Sequence, residues 1–551
     1  MTVIWGIFFL GLVEIMVDPA GAFLSNIHEQ MSSAEIFETF GTAADSIPDY
    51  EVFPITLPEL RRRRNADNEI KMSLTLNGTK VALKFKPSGG YLASKYTPVL
   101  SAITDEKAYH GIRYEPLPNA LTDIGEFGMY HDHANQAAIV VYMDPKVGPE
   151  FEGVVGPNFA IKSLPKRLKT EQLQIGVVHT PKYKRSIEDV NADETSYFAV
   201  FKVESPSKYV KRGIADDPME LYRVKRRLGQ RRKELPTVVY PEILLILDHN
   251  AIRNRSITQT LRFILAFWNA ADMVYAELTQ PKVRLNIAGI IIGADDTATP
   301  YISEDASENF IPNVNDILNR TGTYFYNEQV RFPFKHYDIV MGMTTANLCA
   351  EKTDPCQGVL GVAVLNAACR QETQRPRQHK AIRSTGVLHY KWNYAGVTTA
   401  VHEAAHLFGV HHDEGYEYGG RNECDMEEGY AMTPAAQLTQ HGFKWSKCSK
   451  RYFQEYFRSR ESECLDNVPL WARTKGEVLP GRWLTLAGQC RNSGMESGCK
   501  VPNLPFCFVK GCKAANSEEC VADAWQTLPG TECGEGKICD ANRACVKERK
   551  D

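Results

Sequence analysis

Apolar and polar positions follow two different textures along this chain. Lys80 to Phe85 alternates apolar and basic residues, the period of a half-buried strand, and the turn former Pro87-Ser88-Gly89-Gly90 follows it. Gln174 to His179 and Tyr197 to Val203 predict further strands, so the first two hundred residues read as β-rich. From Val238 the texture changes. Val238 to Asp248 is an apolar run of buried-strand type, and Thr258 to Leu278 spaces its apolar residues as a long helix packed on a sheet. Val283 to Ile292, Tyr337 to Met341 and Gly358 to Leu365 predict three more strands. A last apolar helix follows at Thr399. The order predicts an α/β sandwich with a cleft along one sheet edge.

The amino terminus carries a third pattern. Val3 to Val17 is apolar with one charge, Glu14, and Ala20-Gly21-Ala22 follows it. This predicts a signal peptide over 1–22, since the run is short for a membrane span. With no other long apolar run, a soluble, secreted, monomeric protein without a membrane span is expected. The chain has 551 residues, enough for several domains, and a net charge of −3 that argues against nucleic-acid binding. Its 14 cysteines all lie at or beyond Cys349 and imply an oxidising compartment.

The candidate chemistry sits on the last helix. Residues 402–413 read His402-Glu403-x-x-His406-x-x-Gly409-x-x-His412-Asp413. His402 and His406 stand one helical turn apart on one face and can share a zinc ion. Gly409 can take the turn that ends the helix and brings His412 round as third ligand, with His411 a competitor for that place. Three protein ligands leave a fourth position for water, and Glu403 is placed to act as general base.

This stretch resembles the metzincin zinc peptidases, and Asp413 points to the reprolysin branch of adamalysins, ADAM and ADAMTS proteins. The resemblance implies a mixed twisted sheet with a zinc helix, and a methionine turn at Met432 beneath the metal. It implies that the strand just before the zinc helix, near Val359 to Leu365, is the edge to which a substrate adds itself. It implies a structural calcium site from Glu242, Asp338, Asn467 and the carbonyl of Cys464. Of the 15 pairings open to the six cysteines of that domain, it favours Cys369–Cys464 and Cys424–Cys448, leaving Cys349–Cys356 as a local loop.

On this reading, residues 23–226 form a β-rich propeptide, 227–470 the protease domain, and 471–551 a small disulfide-rich module. That module resembles the disintegrin-like module of ADAMTS proteases, and the layout resembles secreted tick salivary metalloproteases. Arg223-Val224-Lys225-Arg226 fits a furin-like convertase, with cleavage after Arg226, and Arg61 to Arg64 is a second basic cluster. The propeptide has no cysteine to offer the metal, so latency must come from steric cover. Asn77, Asn254 and Asn319 head glycosylation sequons. The function expected is a secreted zinc endopeptidase cleaving extracellular proteins such as fibrinogen or matrix components. The alternative is a proteolytically inactive secreted protein that binds through its disintegrin-like module.

Overall fold

The computed structural model describes residues 26–56, 69–76, 79–117, 119–144, 148–169, 195–204, 211–215, 234–253, 255–302, 313–350, 358–374, 379–415, 422–435, 438–469, 479–482, 484–523, 527–540 and 543–548. The expected signal peptide, Arg61 to Arg64, Gln174 to His179, Arg226, Asn77, Asn254 and Cys356 lie outside the described residues.

After helix α1 (Ser33–Phe40), the chain builds an eight-stranded sheet. Its members are β1 (Tyr50–Thr56), β2 (Ile70–Leu76), β3 (Thr79–Pro87), β6 (Glu126–Asp132), β7 (Ala137–Asp144), β8 (Gly148–Val155), β9 (Phe159–Ser163) and β10 (Thr195–Lys202). All neighbours pair antiparallel, in the order β1-β10-β9-β8-β7-β6-β3-β2. Alternation along β7 sends Ile139 and Val141 to one core and Ala138, Val140 and Tyr142 to another, as strand periodicity requires.

The second sheet holds the remaining long strands. Its centre is β13 (Glu242–Leu247), β15 (Asn286–Gly293), β16 (Ile339–Thr344) and β21 (Thr385–His389), all parallel, with β18 (Gly358–Val364) antiparallel to β21. Every residue of β13, β15 and β16 is buried, as expected of parallel strands covered on both faces. The short strands β12 (Val238–Val239) and β14 (Lys282–Val283) pair with each other, β17 (Leu348–Cys349) flanks β18, and β19 (Gln371–Gln374) and β20 (His379–Ile382) form a hairpin.

Two findings differ from the expectation. The strand immediately before helix 397–407 is β21, which lies inside the sheet; the expected edge strand near Val359 to Leu365 is β18, one place further out. At five residues, β21 is too short to separate by pattern from the loop around it. The amino-terminal region is also not a separate body. It gives the second sheet three strands: β4 (Val99–Thr104) and β5 (Ile112–Pro116) beyond β15, and β11 (Lys211–Ala215) on the open side of β18.

Helices α2 (Ile257–Tyr275) and α4 (Val397–Leu407) share one apolar core with both sheets. Ser256 and Gln259 form a capping box that starts α2. All residues from Thr260 to Tyr275 are buried except Arg262, and so is every residue of α4. Both helices are covered on nearly every side between the layers, and polar residues such as Asn269, Asp272 and Glu403 are buried with them. Helix α3 (Val314–Asn327) covers the other face of the second sheet, and α5 (Lys447–Phe457) packs near the end of α4. The last part holds α6 (Leu486–Asn492) and short hairpins tied by Cys490–Cys512, Cys499–Cys520, Cys507–Cys539 and Cys533–Cys545.

Candidate metal centre and active site

Helix α4 carries His402 and His406 on one face, one turn apart. Gly409, at φ 78°, turns the chain back after it. A side chain there would be strained, and its Cβ would lie 2.9 Å from Asn366 Oδ1. The turn brings His412 to the other two. The three Nε2 atoms form a triangle with sides of 3.0, 3.0 and 3.2 Å. Tetrahedral zinc with Zn–N bonds near 2.05 Å needs nitrogens about 3.3 Å apart, so the triangle is close to the required size.

The opposite ring nitrogens fix the tautomers. His402 Nδ1 lies 2.8 Å from the Ala431 carbonyl and His406 Nδ1 2.7 Å from the Val410 carbonyl. A carbonyl only accepts, so each Nδ1 must carry the hydrogen and each Nε2 presents a lone pair. His412 Nδ1 lies 3.2 Å from Glu414 Oε1, which favours the same tautomer. Lone pairs converging at 3 Å repel unless a cation lies between them, so this donor set fits zinc. His411 does not compete for that place: its ring packs against Tyr452, centroids 5.0 Å apart.

Met432 is fully buried, and its turn serves the site through the backbone. Ala431 accepts from His402, while the Asp413 N–H donates to the Met432 carbonyl at 2.9 Å. Asp413 is itself buried and accepts from Ser446 Oγ at 2.8 Å; burial pushes its carboxyl up to about 7. The residue after the third histidine thus ties the helix exit to the methionine turn.

Glu403 is fully buried beside β18. A Cβ on Gly361 would lie 2.7 Å from Glu403 Cγ and 2.9 Å from its Oε1. Gly361 is therefore part of the site, since only a bare Cα leaves room for the carboxylate there. Nothing in the local pattern of β18 marks it. Glu414 and the Val410 carbonyl were also missed. An acid two positions past the third histidine is a weak signal, and a backbone carbonyl gives none.

The expected calcium ligands come partly together. Glu242 and Asp338 are both buried, and the Glu242 N–H donates to Asp338 Oδ2 at 2.9 Å. Asn467 donates to Glu242. Burial, reinforced by the Glu242 charge, drives the Asp338 carboxyl well above the usual carboxylate range. Asp338 also lies beside the sulfurs of Cys369 and Cys464, but these form a disulfide and are not thiolate ligands. The structure also pairs Cys424 with Cys448, and Cys349 is disulfide-bonded. Asn319 is exposed on α3.

An α/β fold with three convergent imidazoles and a buried glutamate between the first two defines a zinc-dependent metallopeptidase. The M12B reprolysin-like metallopeptidase family (Reprolysin_3) matches residues 261–413, from inside α2 to Asp413. A Bombyx mori protein described as like a disintegrin and metalloproteinase with thrombospondin motifs is 28% identical over 525 residues, 88% of this chain and 73% of that one. Venom metalloproteinase 2 of Eulophus pennicornis is 27% identical over 32% of this chain and 40% of its own length. A disintegrin and metalloproteinase with thrombospondin motifs 12 of Mus musculus is 28% identical over 39% of this chain, and only 12% of its length is covered. The chain is a metalloendopeptidase whose residues 261–413 match the reprolysin-like family and which is similar to ADAMTS-like and venom metalloproteinases. That family implies a catalytic zinc, which the His402, His406 and His412 triangle fits.

Proposed function

We propose that the chain is a secreted endopeptidase that cleaves extracellular proteins, with Glu403 as its general base. The observation that carries this is the triangle of Nε2 atoms with hydrogens locked on the far ring nitrogens. His402, His406 and His412 hold the metal. When bound, zinc acts as a Lewis acid that polarises a peptide carbonyl and makes water acidic enough to attack near neutral pH. Glu403 accepts the proton of the attacking water and delivers it to the leaving amine. Met432 and its neighbours keep the imidazoles oriented.

Substrate enters along β18 on this reading, because Gly361 carries that strand past Glu403. The same edge explains latency without a cysteine. Strand β11 pairs in parallel with Val359, Val362, Ala363 and Val364 and covers the backbone groups an extended substrate would use. A cut after Arg226 by a furin-like convertase would free that strand's far end. The four disulfides of the small last module, with Cys369–Cys464, Cys424–Cys448 and the bonded Cys349 of the protease part, suit an oxidising, extracellular setting. No helix among the described residues is long and apolar enough to cross a membrane. Glu242 and Asp338, with Asn467 and the Cys464 carbonyl, would hold a calcium ion, whose charge would relieve the repulsion of the two buried carboxylates.

The test pairs the mature protein with its Glu403→Ala variant. Zinc content and cleavage of fibrinogen and gelatin are measured with and without a chelator. Zinc near one per chain in both, with chelator-sensitive cleavage in the parent alone, is expected. Cleavage by the pure variant would refute the role of Glu403. Zinc-free, folded protein would leave a binding role through the disulfide-rich module.

A further inference from the structure

The amino-terminal lobe lies ahead of the expected cut after Arg226, where a propeptide would detach. Its contacts with α2 say otherwise. Helix α2 has no water-facing stripe: Phe263, Ile264, Phe267 and Trp268 lie in one continuous apolar core with Ala138, Val140 and Tyr142 of β7. The helix's polar groups also find their partners in the lobe. Asn269 is fully buried; its Nδ2 donates to the Ile139 carbonyl at 3.1 Å, and His131 Nε2 lies 2.9 Å from its Oδ1. Arg262 pairs with Glu150 and donates to the Ile124 carbonyl at 3.0 Å, while Tyr142 Oη donates to the Arg262 carbonyl at 2.9 Å.

Two further clamps act away from α2. Strand β4 pairs with β15, so the lobe extends the protease sheet itself. Its companion β5 is held from the other side by the disulfide-rich module, where Asn492 Nδ2 donates to the Tyr114 carbonyl at 2.7 Å. Tyr394, in the loop that leads into the zinc helix, donates to Glu152 Oε2 of the lobe at 3.2 Å. Loss of the lobe would expose the apolar side of α2, open a backbone edge on β15 and strip buried polar groups of partners at once.

We infer that residues 26–204 remain bound as a permanent structural lobe after the chain is cut, and that the working enzyme is a two-fragment complex. This rests on the proposed function only for the position of the cut. The retained lobe then differs in role from β11, which covers the cleft edge alone.

The test uses the full chain in the Glu403→Ala background, so that the result does not depend on catalysis. The chain is cut at Arg226 by a furin-like convertase, or by a site-specific protease after its recognition sequence replaces residues 223–226. The product is run on gel filtration at near-physiological salt. Co-elution of both fragments, one to one, at the position of the uncut chain is expected. A separately eluting amino-terminal fragment would overturn the inference. Val140→Asp places a charge in the α2 contact and is expected to release the lobe after cutting; Tyr142→Ala serves if that variant does not fold. A folded, cut variant that holds its lobe as the parent does would show that α2 is not the binding face.

Discussion

The two edges of the protease sheet are closed by the same amino-terminal region in different ways. Beyond β15, a two-stranded hairpin buries Ile112 and Tyr114 in the second core of the protease domain. There the backbone of Tyr114 is bonded to Asn492, and the fully buried Arg331 reaches the Ile112 carbonyl at 2.7 Å and Asn492 at 3.1 Å. Three parts of the chain meet at that edge. Beyond β18, closure is by five residues of β11, with a register irregularity between Lys211 and Gly213. The first edge is built into the core. The second is a single added strand, the kind of pairing another extended segment can replace, and it lies beside Glu403. Sheet edges are liabilities; here one is sealed into the core, and on the proposed function the other is left exchangeable beside Glu403.

The largest effects should separate the two edges. Glu403→Ala, at the exchangeable edge, is expected to lower turnover by at least about 10³-fold, the scale of a lost general base. Its urea midpoint should not fall. Tyr114→Ala should do the reverse. Its ring packs edge-on against Phe332, centroids 4.8 Å apart, with the Arg331 guanidinium 4.8 Å from the ring centre. Removing so large a buried ring is expected to cost about 3–5 kcal/mol in urea unfolding, with turnover per folded molecule unchanged. A drop in turnover without loss of stability would erase the distinction between the edges.

The candidate site was more legible than the architecture around it. Its residues are close in sequence: helical spacing aligns His402 with His406, and a glycine places His412. Such local geometry is written in spacing. The strands and the long helix were also visible, because burial on both faces leaves continuous apolar runs. The lobe's role was not. Lys80 to Phe85 reads as an ordinary half-buried strand whether its sheet stands alone or covers a neighbour. That β4 joins β15 depends on pairing across nearly two hundred residues, which no local pattern records. Gly361 stayed hidden because its role is the absence of a side chain opposite a residue far along the chain.

The retained lobe makes a further prediction through His131, which is buried between β6 and α2. Burial, with Arg284 and His133 nearby, lowers its pKa from 6.5 to about 4 in spite of Asp272. The folded state therefore binds the proton less readily than the unfolded state. Its stabilising share is complete above pH 6.5 and is lost as the pH falls towards 4, by about 3 kcal/mol. Asp248, raised to about 6 by burial, acts in the opposite sense over part of this range. The overall pH curve is thus a mixture, and the difference between parent and His131→Gln isolates the histidine. Urea unfolding at pH 7 and pH 4.5 should show the parent losing more stability than the variant. Equal losses would mean that the ring is not held neutral at the lobe contact.

The smallest effect tests the exchangeable edge most finely. Gly361→Ala adds one methyl group, and an unshifted backbone would put it 2.7 Å from Glu403 Cγ. Either the carboxylate moves or β18 does. The alanine is otherwise compatible with a strand, so stability should change little. Displacement of a general base by a fraction of an ångström to one ångström costs up to about 10²-fold. The expected result is a fall in kcat of that order with zinc content unchanged, because the imidazoles are held from the other side by Ala431 and Val410. If the strand moves instead, the substrate's backbone pairing shifts with it, and KM rises while kcat holds. The kcat-against-KM split therefore reports which partner yields. An unchanged kcat/KM would show that the close approach of β18 to Glu403 does not position the base.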